Sequence, residues 1–224
     1  MTTALALDTT SDNLSVALHQ EGRPAASHYA PAGTRTTATI FGVIEELLAG
    51  AGLAPEALEV FIVARGPGSF TGTRIGLAVA KTFARVLGCS LIGVDTLHLL
   101  AAQTEPVEER PFHALLNCVR DEAYHAPYRW RDGRLESLGP IALGTFASLA
   151  PQIGEAPVML RRFEPGEPGH EEALGRFNLL TPRHPFPDGE LLLGAGLEFF
   201  ASDGPRPPAD PIYLKSEAFR KWKR

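Results

Sequence analysis

Apolar residues recur at two spacings along the first hundred positions, and these spacings predict strands and helices in turn. Short alternating or continuous apolar runs indicate strands, and apolar positions three and four residues apart indicate helices. The predicted strands are 3–7, 14–18, 23–29, 58–64 and 90–94, and the predicted helices are 34–51, 72–87 and 95–102. The three opening strands are separated by short turns, so we expect an antiparallel meander. The strand–helix–strand succession over 58–94 predicts two parallel strands.

A charged, proline-bearing stretch over 104–111 predicts a boundary, after which the pattern starts again. Strands are expected at 112–118, 123–130, near Leu135 and near Val158, with short helices at 146–149 and 190–201. Residues 161–189 hold many prolines and glycines without periodicity, and this predicts an irregular segment. The pattern favours an α/β protein of two lobes with mixed sheets, residues 1–103 and 104–224.

Composition narrows the class of protein only moderately. The chain has 224 residues, 44% hydrophobic, and a formal charge of −5. An acidic protein lacks the overall basic face that most nucleic-acid binders use, although a local basic patch stays open. The two cysteines are far apart, no apolar stretch is long enough for a membrane span, and no basic–apolar leader pattern is present. These features predict a cytoplasmic protein without membrane contact.

The turn after the strand 58–64 carries the strongest candidate chemistry. It reads Arg65-Gly66-Pro67-Gly68-Ser69-Phe70-Thr71-Gly72-Thr73-Arg74. Glycine turns at helix starts offer N–H donors and a positive dipole end to anions, and two arginines flank this one. It is not a phosphate-binding P-loop, since Thr73 stands where that motif has Lys, nor a nucleophile elbow around Ser69. The alternative is a tight strand-to-helix turn without ligand.

A stripe of small residues follows, formed by Gly72, Gly76, Ala80 and Ala84 at every fourth position. Because a glycine within a helix costs about 1 kcal/mol against alanine, Gly76 implies the close approach of another element. That element is either the chain's own sheet or a partner subunit. In the second case the apolar residues of the helix 34–51, namely Ile40, Ile44 and Leu47, would join the interface.

Three further features are weaker. Asp8 and Thr9 end the first strand and are placed either for a nucleotide's phosphate or for a local hydroxyl turn. The seven histidines show no metal-binding pair, so the sequence predicts no metal and no resident cofactor. The tail 215–224 interleaves five basic residues with Phe219 and Trp222, a pattern that suits RNA contact or a solvated terminus.

Four stretches together resemble the TsaB (YeaZ) family of tRNA threonylcarbamoyladenosine biosynthesis proteins. They are the opening strands 5–10 and 14–18, the run Arg65 to Gly76, the strand Leu91–Val94 with Thr96-Leu97, and Pro211-Ile212-Tyr213-Leu214-Lys215. The resemblance is close over residues 1–103, weak over residues 104–210, and close again over the C-terminal residues 211–215. It implies the two-lobed actin-like, Hsp70-like ATPase (ASKHA) fold.

The resemblance also implies a function. Members are non-catalytic subunits that pair with a TsaD-like catalytic subunit and work with a TsaE-like ATPase. The assembly installs threonylcarbamoyl on the adenosine next to the anticodon of tRNAs. We therefore expect a partner interface on the first-lobe helices, a homodimer when the chain is alone, and tRNA contact through the complex. Asp8, Thr9, Arg65, Gly66, Gly68, Ser69 and Arg74 are the expected contacts of any anion or nucleotide.

The chain departs from the family pattern at three places. Asn117-Cys118-Val119 replaces Asp-Ala-Arg, Thr34–Thr37 replaces a stretch that often has histidine, and Met159-Leu160-Arg161 replaces a glycine-rich turn. The first and third lie where an ATPase of this fold would hold nucleotide, which counts against autonomous nucleotide binding. Two alternatives stay open: an autonomous nucleotide-binding enzyme of the actin-like class, and a direct tRNA binder through the basic tail.

Overall fold

The computed structural model describes residues 2–11, 13–21, 26–30, 37–104, 110–118, 121–161, 175–181 and 189–214. These residues form two compact units, one from the described parts of 1–96 and 187–212 and the other from those of 97–186 and 213–224. This division differs from the predicted one after residue 103. The helix that begins at Thr96 packs its leucines within the second unit, whereas the helix that begins at Gly189 packs on the first sheet.

The first unit is built on a five-stranded sheet among the described residues, in the order β3-β2-β1-β4-β5. The strands are β1 (Thr3–Asp8), β2 (Leu14–Gln20), β3 (Ala26–Ala30), β4 (Val60–Ala64) and β5 (Ser90–Val94). β1–β2 and β2–β3 pair antiparallel, and β1–β4 and β4–β5 pair parallel. The predicted meander and the predicted parallel pair are both confirmed. Of the predicted third strand, residues 23–25 lie outside the described ones.

Helices cover the first sheet. They are α1 (Thr37–Gly50), α2 (Phe70–Leu87) and α5 (Gly189–Ala201), and a 3₁₀ turn occupies Pro55–Ala57. Leucines of β1 and β2 pack with Ile40, Ile44, Leu77 and Val79 of α1 and α2. Gly196 of α5 lies against Ile62, so closely that a Cβ there would overlap that side chain. Because β1 and β4 are buried along their whole length, they read as continuous apolar runs rather than alternating ones.

The residues that end α2 explain its bounds. Ser69 is the N-cap, and its hydroxyl accepts the Gly72 N–H, so the helix begins at Phe70, two residues before the predicted start. Gly88 ends it in the left-handed conformation with φ 73°. For α1, the predicted residues 34–36 lie outside the described part of the chain.

The second unit contains a mixed sheet in the order β11-β10-β6-β7-β8, with β9 also on β7. The strands are β6 (Phe112–Asn117), β7 (Glu122–Arg131), β8 (Arg134–Ser137), β9 (Ala142–Thr145), β10 (Pro157–Leu160) and β11 (Asn178–Leu179); the helices are α3 (Thr96–Ala101) and α4 (Phe146–Ile153). Strand β11 corrects the expectation that 161–189 is irregular throughout. Residues 162–174 and 182–188, and the tail 215–224, lie outside the described residues.

Alternation along β6 and β7 gives the second sheet two different faces. Leu115 and Ala123 pack under α4 with Phe146 and Leu149. Phe112, Leu116 and Tyr128 pack on the opposite face with leucines of α3. Within the described part of the chain, no helix is both long and apolar enough to cross a membrane.

Candidate functional site

The first candidate feature is the turn that follows β1. Asp8 Oδ1 accepts hydrogen bonds from the backbone N–H and the hydroxyl of Thr10, each at 2.7 Å, and all three groups are buried. The Thr10 hydroxyl also lies 3.3 Å from the hydroxyl of Thr96. Asp8 therefore organises its own turn, which matches the local alternative considered for this carboxylate.

The glycine turn 66–69 packs directly on the Thr10 turn. The Ser69 N–H donates to the Thr10 carbonyl oxygen at 2.6 Å, and the Thr96 N–H donates to the Gly66 carbonyl oxygen at 2.9 Å. Gly66 has φ +86°, a conformation that favours glycine, and a Cβ at Gly68 would overlap the Thr10 carbonyl. The glycines are thus explained by turn geometry and by the close approach of the two turns.

Hydrogen bonds within the chain also use two of the N–H donors near the start of α2. The Gly72 N–H donates to Ser69 Oγ at 3.2 Å, and the Thr73 N–H donates to the Ser69 carbonyl at 2.8 Å. Thr9 Oγ1 donates to the Gly72 carbonyl at 2.7 Å, which ties the end of β1 to the helix. An anion at this helix start would have to compete with these internal partners.

The two arginines that flank the turn are engaged in different ways. Arg65 continues the sheet through its backbone, donating to the Val94 carbonyl at 2.9 Å and accepting from Ile212 N–H at 3.1 Å. Its Nε is buried and has no hydrogen-bond partner among the described residues. The Arg74 guanidinium lies 3.8 Å from the centroid of the exposed Phe70 ring. The structure therefore gives each arginine its own surroundings rather than one shared anion cradle.

The small-residue stripe faces the interior of its own unit, which corrects its assignment to a partner interface. Gly72, Gly76 and Ala80 are buried, and a Cβ at Gly76 would collide with Thr9 Oγ1. Ile40 and Ile44 are also buried in the first core, whereas Leu47 and Ala84 are only partly covered. The stripe is small because α2 passes closely over the end of β1, which is the alternative that the sequence left open.

Exposed apolar side chains occur elsewhere on the same helices. Phe41 of α1 is 40% exposed and stacks on Phe83 of α2, with ring centroids 5.5 Å apart. Val86, one turn beyond Phe83, is 74% exposed. Sequence reasoning missed this surface because it followed the main apolar stripe of each helix. The sequence signal that could have indicated this surface is a large apolar residue, such as Val86, that lies outside the apolar stripe of its helix.

In the second unit, Cys118, which lies in a stretch that departs from the family pattern, contacts Tyr124. Burial raises the pKa of the Cys118 thiol, which is hydrogen-bonded to the Tyr124 side chain, and burial likewise raises the pKa of Tyr124. A thiol with a raised pKa is a poor nucleophile near neutral pH. The described residues hold no group of three or more His, Cys, Asp or Glu side chains that could bind a metal ion.

His113 and His125 lie side by side on the second sheet, on neighbouring strands. Their ring centroids are 6.2 Å apart, and the rings are nearly parallel. Burial lowers the pKa of both imidazoles, and the charge of His125 lowers that of His113 further. Both Nδ1 atoms are buried without a hydrogen-bond partner in the described part of the chain. Sequence reasoning treated these histidines as isolated, because only the strand pairing brings them together.

Comparison with known proteins gives consistent matches. A family model described as TsaD, tRNA N6-adenosine threonylcarbamoyltransferase, matches residues 32–176. The TsaB protein of Bacillus subtilis is 32% identical over 142 residues, 62% of this chain and 60% of that protein. The TsaB protein of Escherichia coli is 35% identical over 97 residues, 43% of this chain and 42% of that protein. The chain thus spans about half of the length of these curated relatives.

Among solved structures, YeaZ from Pseudomonas aeruginosa superposes with a TM-score of 0.72 at 28% identity, covering 96% of this chain and 100% of the other. A second structure from that organism, at 26% identity and the same TM-score, is described as similar to a peptidase. The predicted α/β fold class with mixed sheets is confirmed. Because the family model covers more than half of the chain and the named relatives are TsaB and YeaZ proteins, the chain belongs to the TsaB (YeaZ) family.

Proposed function

We propose that the chain is a non-catalytic subunit of the system that installs threonylcarbamoyl on the adenosine next to the anticodon of tRNAs. Its role is to bind and activate a TsaD-like catalytic subunit, with a TsaE-like ATPase as the third component. The observation that carries this proposal is the pair of curated TsaB relatives, each described as a tRNA threonylcarbamoyladenosine biosynthesis protein. In the cytoplasm the chain would meet the tRNA as part of this complex.

The internal hydrogen bonds of the glycine turn support a role without a nucleotide site of its own. Ser69 N–H and Gly72 N–H, two donors that would hold a phosphate, bond within the chain. Asp8 is likewise committed to Thr10. The alternative of an autonomous actin-like ATPase requires these groups to be released. Calorimetry with ATP and Mg²⁺ decides, and binding tighter than about 10 µM would favour the enzyme.

Because the small-residue stripe is buried, the partner surface would lie on the exposed part of the same two helices, α1 and α2. We place it on Phe41, Phe83 and Val86, which we call the aromatic patch. Large apolar side chains that stay exposed next to a rigid helix pair are typical of subunit contacts. In the absence of the catalytic subunit, a second copy of the chain would cover the same patch as a homodimer.

Charge substitution tests this surface. Val86→Asp places a carboxylate on the aromatic patch with little loss of folded-state packing, because the side chain is 74% exposed. Leu138→Asp, at an exposed apolar position of the second unit, is the matched control. We expect Val86→Asp to weaken co-elution with the TsaD-like subunit by about tenfold or more and Leu138→Asp to leave it unchanged. Equal co-elution of both variants would remove the patch from the proposal.

A further inference from the structure

The hairpin of β7 and β8 presents two arginines side by side at its tip. A two-residue turn, Asp132-Gly133, joins the strands, with φ values of 50° and 74°. Positive φ at both positions is the mark of a type I′ turn, which holds the flanking residues in fixed register. Arg131 therefore stands directly opposite Arg134. Residues paired in this way have their Cβ atoms about 5 Å apart on the same face of the sheet.

The period of two along a strand adds a third cation to this face. Arg129 lies on it, and its Nη2 contacts Oε2 of Glu136 at 2.8 Å. Trp130 and Leu135 point to the other face, where they pack on the second core. The hairpin is therefore apolar on one side, and on the other it carries three arginines and one glutamate, a net positive charge. We call Arg129, Arg131 and Arg134 the cationic strip.

Two of the three arginines of the cationic strip, Arg131 and Arg134, are not neutralised from within the described part of the chain. Arg131 and Arg134 are exposed, and neither side chain makes an ion pair or a hydrogen bond to another described residue. Like charges directly opposite each other in a sheet destabilise it. The protein as a whole carries a formal charge of −5, so the strip is not a by-product of a basic composition. The arrangement costs stability unless an external anion compensates for the charge.

Imidazole rings continue the same face of the sheet beyond the arginines. By strand register, His125 lies on this face two rows in from Arg129, and His113 lies on it one row in, directly opposite Pro127. Their Nδ1 atoms and Arg129 Nε are buried without partners among the described residues. Polar groups of this kind are costly unless a ligand or water satisfies them. Flat rings next to arginines also suit RNA better than an acidic peptide, because bases stack on rings and carboxylates do not.

We propose that the cationic strip binds the phosphate backbone of RNA, with the paired histidines at the inner end of the contact. That the RNA is tRNA rests on the proposed function; the contact itself rests on the hairpin. This would give the chain a direct RNA contact in its second unit, separate from the tail 215–224.

The experiment measures the affinity of the full-length protein for a fluorescein-labelled, unmodified tRNA transcript by anisotropy across a sodium chloride series. The test variant is Arg131→Gln/Arg134→Gln. Arg131→Lys/Arg134→Lys keeps both charges and should retain binding. Arg85→Gln removes a charge from an exposed arginine of α2 in the first unit and is the control for the loss of an arginine elsewhere on the protein. Circular dichroism confirms that each variant is folded.

Each lost phosphate contact lowers the slope of log affinity against log salt by about 0.7–0.9. We expect the glutamine double variant to bind about tenfold more weakly at low salt, with a slope shallower by about 1.4–1.8. Arg85→Gln should stay within about twofold of the parent protein. An unchanged affinity and slope for the folded double variant would overturn the proposal. Displacement of the labelled tRNA by polyaspartate as readily as by unlabelled tRNA would overturn the assignment to RNA.

This result is separable from the proposed function. Threonylcarbamoyl transfer by the reconstituted complex reports on the subunit role. The salt dependence of tRNA binding by the isolated chain reports on the cationic strip. Salt-sensitive binding that depends on Arg131 and Arg134 supports the strip even where the chain has no effect on transfer. Transfer that requires the chain, combined with an unchanged salt slope in the double variant, rejects the strip and leaves the subunit role intact.

Discussion

Two turns of this protein invite comparison, the glycine turn 66–69 of the first unit and the turn Asp132-Gly133 of the second. The first has the composition of an anion site, with glycines, a helix start and flanking arginines. Its Ser69 and Gly72 N–H groups nevertheless bond within the chain. The second is an ordinary hairpin turn in sequence. It nevertheless holds Arg131 and Arg134 exposed, opposite each other and without a described partner.

The difference shows that composition does not define a binding site, because the same donors serve equally well to hold a turn together. In the first unit, the Thr10 carbonyl and the Ser69 hydroxyl accept two of the N–H groups that a phosphate would need. In the second unit, strand register brings together two arginines whose side chains have no ion-pair or hydrogen-bond partner among the described residues. The largest effect of a substitution is expected where α2 and β1 pack most tightly.

Gly76→Ala tests whether α2 packs as closely against the end of β1 as the geometry indicates. The added methyl group would collide with Thr9 Oγ1, which is held by its hydrogen bond to the Gly72 carbonyl. We expect a loss of about 2–3 kcal/mol in the free energy of unfolding, despite the better helix propensity of alanine. Urea denaturation gives the value.

Gly42→Ala is the matched control for that substitution. Gly42 lies within α1, and a Cβ added there would have no heavy atom within 4 Å outside its own helix turn. This variant should gain about 0.5–1 kcal/mol, because alanine only improves helix propensity there. If both substitutions stabilised the protein alike, the stripe would have room for a Cβ, and its burial against β1 would lose its explanation.

Ser69→Ala tests whether the serine of the glycine turn is a helix cap. Its hydroxyl accepts the Gly72 N–H, as the Thr145 hydroxyl accepts the Ser148 N–H at the start of α4. Loss of either cap should cost about 1 kcal/mol. Thermal unfolding of Ser69→Ala and Thr145→Ala measures both caps. A Ser69→Ala protein with unchanged stability would contradict the cap and reopen the question of a ligand for this hydroxyl.

The paired histidines of the second unit should make its stability depend on pH. Because the pKa of His113 and His125 is lowered in the folded protein, the unfolded chain binds more protons just below their ordinary pKa of 6.5. Their neutral forms therefore support folding fully above that value, and the support is lost as the pH falls through 6.5 towards the lowered pKa. Urea unfolding followed by tryptophan fluorescence in a Trp222→Phe background, where Trp130 alone reports, should show a stability that declines as the pH falls below the ordinary imidazole pKa of 6.5.

His113→Asn/His125→Asn should flatten this decline, and His19→Gln in the first unit is the control of the same residue type. We expect the effect to be the smallest of the series, because only two half-buried groups contribute. A decline that is as steep in the double variant as in the parent protein would assign the pH dependence to other groups.

The comparison of the two units also shows what the sequence can predict. The strands 58–64 and 90–94 and the helix between them follow from continuous apolar runs and helical spacing, and the structure confirms them. Strand β9 was missed because Ala142–Thr145 is a short run with little apolar character. The assignment of α3 and α5 to units failed because tertiary packing decides which core a helix joins.

For the candidate site, local chemistry was predictable and spatial pairing was not. Ser69 and Gly76 stood out because their residue types are costly or distinctive where they occur. Whether the stripe of Gly76 faced a sheet or a partner depended on the position of Thr9, which lies far earlier in the chain. The pairing of Arg131 with Arg134 required the register of the hairpin, and the contact of Phe41 with Phe83 required the packing of two helices.

The central claim is that the chain acts as an activating subunit rather than as an enzyme. The most direct test is the amount of threonylcarbamoyladenosine formed in tRNA by a TsaD-like subunit and a TsaE-like ATPase, supplied with the threonylcarbamoyl adenylate, with and without this chain. We predict robust formation only when the chain is present, and none when the chain replaces the TsaD-like subunit. Equal product without the chain, or product formed by the chain without the TsaD-like subunit, would contradict the account.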